Sequence, residues 1–141
     1  MGIPLTHLGV EDPELSISIN AYLPPQPTIE RCYAFGESVA RVVTSLGLRT
    51  AVIASGGMSH YPGTDRYASP DLEWDRRVLE MLADGSGREL AAVTGEELDK
   101  AGNVELRTWI TLLGAVGRAR ADVYCYEPSW HHGNAVAEWA V

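Results

Sequence analysis

The run TAVIAS at residues 50–55 constrains this chain most. It is short, continuously apolar and partly β-branched, which suits a strand covered on both faces, as in a parallel sheet. A parallel partner requires a crossover, and the preceding residues supply one. LSISINAYL (15–23) alternates Leu15, Ile17 and Ile19 with Ser16, Ser18 and Asn20, the period of a half-buried strand. PPQP (24–27) ends it, because proline cannot donate to a ladder. Thr28 then caps a helix that runs to about Leu46. Ile29, Cys32, Tyr33, Phe35, Val39, Val42, Val43 and Leu46 fall mainly on one broad face, and Gly47 is the stop. Strand, helix and strand in this order predict a right-handed βαβ unit.

The remaining elements follow from local signals. SPDLEWDRRVLEMLADG predicts a helix with Ser69 as cap, Pro70 at the first position and Gly85 as stop, burying Leu72, Val78, Leu79 and Leu82. Thr94 and Glu97 form a capping box for a short helix ending near Gly102. Asn103 is placed to cap the next helix, whose stripe is Leu106, Trp109, Ile110, Leu113 and Val116. ADVYCYE (121–127) is a final strand, followed by a loop and a short apolar tail. With 141 residues the chain is expected to form a single domain over 1–141. The fold class is α/β, with a mostly parallel or mixed central sheet flanked by helices.

Composition excludes several roles. The net charge of −8 offers no basic face for a phosphate backbone, so nucleic acid is not an expected partner. No stretch approaches the roughly 18 apolar residues of a membrane span, so a membrane is not expected either. The first residues lack a basic region followed by an apolar one. No secretory signal is therefore expected, and the expected location is cytoplasmic. Gly2 with Thr6 is weak support for myristoylation. Cys32 and Cys125 lack metal-type spacing and are expected to be free buried thiols.

Ligand sites in open α/β sheets lie beyond the carboxyl ends of strands, so SGGMSHYPG after TAVIAS is the best-placed loop. Gly56 and Gly57 allow a sharp turn and close backbone approach. His60 is the side chain suited to proton transfer near neutral pH. GMSHY around Ser59 begins like a nucleophile elbow, but Tyr61 stands where a small residue is needed, and Pro62 and Gly63 postpone the helix. Glu105 begins an amphipathic helix and shares a face with Trp109. An acid there either pairs with the helix dipole or, if buried, needs a partner or a metal. Adjacent His131 and His132 do not easily share a metal. Surface or structural roles are expected for them and for His7. No histidine or cysteine spacing describes a complete metal site.

Taken together, SGGMSHYPG, SPDLEWDRRVLEML, GNVELRTWITLLGA and YEPSW resemble the C-terminal half of the class III extradiol ring-cleavage dioxygenases. These are the catalytic subunits similar to the protocatechuate 4,5-dioxygenase beta chain. The resemblance covers nearly the whole chain, and the pairing of GGMSH with E-L-x-x-W carries it. It implies cleavage of a catechol-type ring beside its hydroxyls, using non-haem Fe(II) and O2, with iron held by two histidines and one glutamate. On this sequence, Glu105 resembles the carboxylate ligand. His60 resembles the acid/base histidine that takes a proton from the catechol and later returns one. Gly56, Gly57 and Ser59 are the implied substrate-binding positions.

The family's two iron-binding histidines belong to its N-terminal half, upstream of the residues matched here. The chain is therefore expected to hold Fe(II) poorly alone and to be a fragment, split subunit or truncated relative. An N-terminal half, a partner subunit or a homo-oligomer would complete it. The alternative is a non-catalytic interaction module that keeps the fold without the metal.

Overall fold

The computed structural model describes residues 14–141. Among these residues the order is α1 (Ile29–Leu46), α2 (Leu72–Asp84), a 3-10 stretch (Gly87–Ala92), α3 (Gly95–Ala101), α4 (Leu106–Val116), β1 (Asp122–Tyr126) and β2 (Ala135–Glu138). The arrangement is mixed α/β, with four helices and a two-stranded antiparallel sheet.

The helices begin and end largely where local chemistry directs. Thr28 accepts a hydrogen bond from the Arg31 N–H at 3.2 Å, and Gly47 closes α1 in the left-handed region at φ 64°. Thr94 and Glu97 cap α3 reciprocally, and Gly102 ends it. Two starts differ from expectation. Helix α2 begins at Leu72, because Asp71 accepts from the Trp74 N–H at 2.9 Å. The Asp71 N–H is itself held by the Ser59 hydroxyl at 2.7 Å, which fixes the cap two residues beyond Ser69. Asn103 does not cap α4. It is buried, and its amide donates to Asp75 at 3.3 Å. Glu105 occupies the cap position instead, and its carboxylate bonds outside the helix.

Helices α1 and α4 pack backbone to backbone. A Cβ added at Gly36 would collide with the Thr111 carbonyl oxygen, and one at Gly114 with the Tyr33 carbonyl oxygen. This contact seats Ile29, Cys32 and Tyr33 of α1 against Leu106, Ile110 and Leu113 of α4. Val78, Leu79 and Leu82 of α2, with Met58, Leu90 and Leu98, complete the core. Strand β1 pairs with β2 from Asp122↔Glu138 to Tyr126↔Ala135, with an irregularity between Val123 and Cys125. The short apolar tail expected after the final loop therefore contains a strand. Of the two cysteines, Cys32 is buried as expected, whereas Cys125 is exposed on β1.

The central parallel sheet is not found among the described residues. Neither 15–23 nor 50–55 is a strand, because nothing described here offers either one a ladder. Leu15, at 86% exposure, and Ile53, at 67%, face outward, while Ile19 packs on the core and Ala21 is buried. The outer half of α1 behaves alike: Val42 and Leu46, expected in its buried face, are exposed. His7 lies outside the described residues.

The glycine contact gives a test with a reversed sign. In a free helix, Gly114→Ala stabilises by about 1 kcal/mol. Here the added methyl must separate α1 from α4, so the variant is expected to lose roughly 1–3 kcal/mol in urea unfolding.

Candidate active site

The loop after residues 50–55 is held on all sides. The Gly56 carbonyl accepts from Trp109 Nε1 at 2.9 Å, which gives the tryptophan beside Glu105 its role. The Met58 N–H donates to the Gly133 carbonyl and the Gly133 N–H to the Ser59 carbonyl, both at 3.1 Å. The His60 N–H donates to the Gly102 carbonyl at 2.9 Å. The two glycines serve packing here. A Cβ on Gly56 would press on Thr108 and the Glu105 carbonyl, and one on Gly57 would collide with the His132 imidazole.

Glu105 faces this loop from the start of α4. Its Oε2 accepts the Gly57 N–H, and its Oε1 accepts the Tyr22 hydroxyl at 2.5 Å. Burial raises its proton affinity. The bonds from Tyr22 and Gly57 and the fields of His60 and His132 outweigh that, so the carboxyl sits below its usual range. It is therefore ionised at neutral pH.

His60 lies 4.0 Å from Glu105 through Nε2, and Tyr22 stands between them, 2.7 Å from that nitrogen. The Nδ1 atom is 2.8 Å from the Met58 carbonyl, which can only accept, so Nδ1 carries hydrogen. Tyr22 has one hydrogen to give. With neutral His60, that hydrogen is shared between two acceptors, Nε2 and the Glu105 carboxylate. With imidazolium, Nε2 donates to the Tyr22 oxygen and Tyr22 donates to Glu105. Tyr22 can thus hydrogen-bond the His60 ring in either of its forms. Burial, then the Glu105 carboxylate, push the Tyr22 phenol well above its usual range, so Tyr22 stays protonated.

His132 joins the same cluster. Its ring packs edge-on to His60 at 4.6 Å between centroids. Burial, then the neighbouring His60, hold it below the usual imidazole range. His131 lies against Tyr67 and Trp130, its ring tilted 47° and 40° to theirs. Sequence reasoning missed both Tyr22 and His132. The adjacency of His131 and His132 argues against a shared ligand role, yet His132 packs against His60 while His131 packs against Tyr67 and Trp130. The Gly133 that follows allows the turn to approach closely.

Ser59 is fully enclosed. Its hydroxyl donates to the Ala101 carbonyl at 2.6 Å and accepts from the Asp71 N–H, so neither a nucleophilic nor a substrate contact is open to it without breaking these bonds. Its N–H donates to Asp75 Oδ1 at 2.9 Å. Asp75 is 0% exposed and also accepts from the Tyr126 hydroxyl at 2.9 Å. Arg107, at 2% exposure, bonds the carbonyls of Pro27, Ala21 and Val104 and the side chain of Gln26. It thereby pins residues 21–27 to α4 and presents Tyr22 to Glu105.

Comparison with known proteins places this geometry. The family described as the catalytic LigB subunit of aromatic ring-opening dioxygenase matches residues 1–137, and the chain belongs to that family. It is 27% identical over 173 aligned residues to the 2,3-dihydroxyphenylpropionate/2,3-dihydroxicinnamic acid 1,2-dioxygenase of Cupriavidus necator, covering 87% of this chain and 55% of the relative. It is 32% identical over 97 residues to the gallate dioxygenase of Pseudomonas putida KT2440, covering 65% of this chain and 28% of that protein. The chain spans about half the length of the first of these relatives. Among the described residues, no group of three or more His, Cys, Asp or Glu is placed to hold a metal ion. No helix among them is long and apolar enough to cross a membrane.

Asp75 gives the site a pH signature. Burial raises its carboxyl from 3.8 to about 6, although the bonds from Ser59 and Tyr126 oppose this. The folded state therefore holds this proton more tightly than the unfolded chain does. The contribution to stability is complete below the unfolded value and is lost as pH rises through about 6. Relative to Asp75→Asn, the wild type is expected to lose roughly 2–3 kcal/mol across that window, read from urea midpoints at successive pH values.

Proposed function

We propose that this chain supplies the carboxylate and the acid/base imidazole of an extradiol dioxygenase acting on a catechol-type ring. The observation that carries this is the chain of contacts from Glu105 through Tyr22 to His60, in a member of the ring-opening dioxygenase family. Glu105 fits one ligand position of a non-haem iron: it is ionised, an oxygen donor, and set at a helix start beside two imidazoles. The described residues hold no group of three such ligands, and the family resemblance supports two histidines as the further ligands. Fe(II), when bound, supplies electron transfer between the ring and O2.

The chain's own contribution is proton management and placement. The Met58 carbonyl fixes hydrogen on Nδ1 of His60 and leaves Nε2 to take a proton from a substrate hydroxyl. Tyr22 stabilises the resulting imidazolium by accepting from Nε2 while donating to Glu105. Gly56 and Gly57 keep the loop backbone close to α4, forming one wall beside the bound ring.

The missing ligands are assigned to an N-terminal half carrying two histidines, on a longer chain or a partner subunit. Exposed apolar residues at 15–23, at 50–55 and along the outer half of α1 support this, because patches of that kind mark association surfaces. With that half present, 15–23 and 50–55 become strands of the central sheet. The relatives' names include 2,3-dihydroxyphenylpropionate and gallate, which supports a catechol-type ring as substrate class for this chain.

Oxygen uptake with catechols is the direct test, measured with Fe(II) after adding an N-terminal half that carries two histidines. Uptake dependent on both additions is expected. Glu105→Ala is expected to abolish iron retention, and His60→Ala to keep iron while lowering turnover by roughly 10²–10⁴-fold. A complex that binds neither iron nor catechol would instead establish a non-catalytic interaction module.

A further inference from the structure

We propose that Asp75 is the positioning residue of this site, the group that sets the His60 imidazole opposite Glu105. It touches neither residue directly. Its Oδ1 accepts from the Ser59 N–H at 2.9 Å and from Asn103 Nδ2 at 3.3 Å. Ser59 immediately precedes His60, and Asn103 lies two residues before Glu105. One oxygen therefore grips the two segments that carry the proton-handling imidazole and the carboxylate. Its Oδ2 accepts from the Tyr126 hydroxyl at 2.9 Å, which adds the end of β1.

The second imidazole is tied to the same point. Gly133, next to His132, packs so closely on Asp75 Oδ2 that a Cβ there would collide with it. Asp75 thus joins the loop bearing His60, the approach to Glu105 and the turn bearing His132. A buried carboxyl with a raised proton affinity is costly, and three donors converge on this one at full burial. An apolar residue at this position of α2 would pack without that cost, but would leave the Ser59 and Asn103 donors unpaired.

The inference rests on reading His60 as the proton carrier, and its test requires no turnover. Long-range 15N–1H spectra of the full chain, above the pH range in which imidazole is charged, report which nitrogen of His60 carries hydrogen. In the wild type a single Nδ1–H form is expected. Asp75→Asn keeps an oxygen toward Ser59 and Asn103 and turns its amide to the Tyr126 oxygen, so the single form is retained. Asp75→Ala removes the acceptor, and a mixture of both tautomers is expected with the His131 signals unchanged. A folded Asp75→Ala variant with the wild-type His60 tautomer would overturn the proposal.

If Asp75→Ala does not fold, the wild type still decides the matter by amide exchange. The Ser59 N–H is expected to exchange as slowly as the Ile110 N–H of the core. Exchange roughly tenfold or more faster than Ile110 means that Asp75 does not hold the loop, and sinks the idea.

Discussion

A single buried acid organises the functional end of this molecule. Asp75 reaches from α2 to the backbone of the loop after residues 50–55, to Asn103 before α4 and to the end of β1. The loop and the Asn103 segment are irregular, with no ladder or helix of their own, and Tyr126 is the last residue of the β1 ladder. The carboxyl is an acceptor placed where three donors converge, away from water. Enclosure raises its proton affinity, so the same group that orders the site works against stability when it ionises. Specific geometry is obtained here at the expense of part of the folding free energy.

Arg107 plays the complementary part on the other side of Glu105. It is a fully buried cation met by oxygens of residues 21–27 and of Val104. Those bonds are directional and require the proline-rich turn to lie against the first turn of α4. Tyr22 is carried along with it and arrives between Glu105 and His60. The trio of Glu105, Tyr22 and His60 is therefore assembled from outside by two buried groups, Asp75 and Arg107.

What the sequence disclosed depended on range. Thr28 with Gly47, and Thr94 with Glu97 and Gly102, are signals complete within a few residues, and α1 and α3 fall where those signals put them. His60 and Glu105 stood out because a glycine loop and a helix start are local features too, and the structure brings them together. Strand membership is different, because a strand exists only with a neighbour. Residues 15–23 and 50–55 have the right alternation and apolarity but no neighbour among the described residues, so the pattern named a capacity the segments do not express here. Tyr22 was invisible for a related reason: it meets Glu105 from 83 positions away and His60 from 38. Asn103 shows the converse failure. A good cap by local rules was diverted to a buried acid 28 positions away.

The backbone contact of Gly36 with α4, and of Gly114 with α1, also acts at a distance. Glu105 lies nine positions before Gly114, or about 13 Å along a rigid helix. The glycine crossing is then a fulcrum and α4 a lever arm. A tilt of about 5° at the crossing swings the carboxylate by about 1 Å, enough to separate it from Tyr22. Alignment of Glu105 with Tyr22 and His60 at the start of α4 is in this way calibrated by two absent methyl groups further along it.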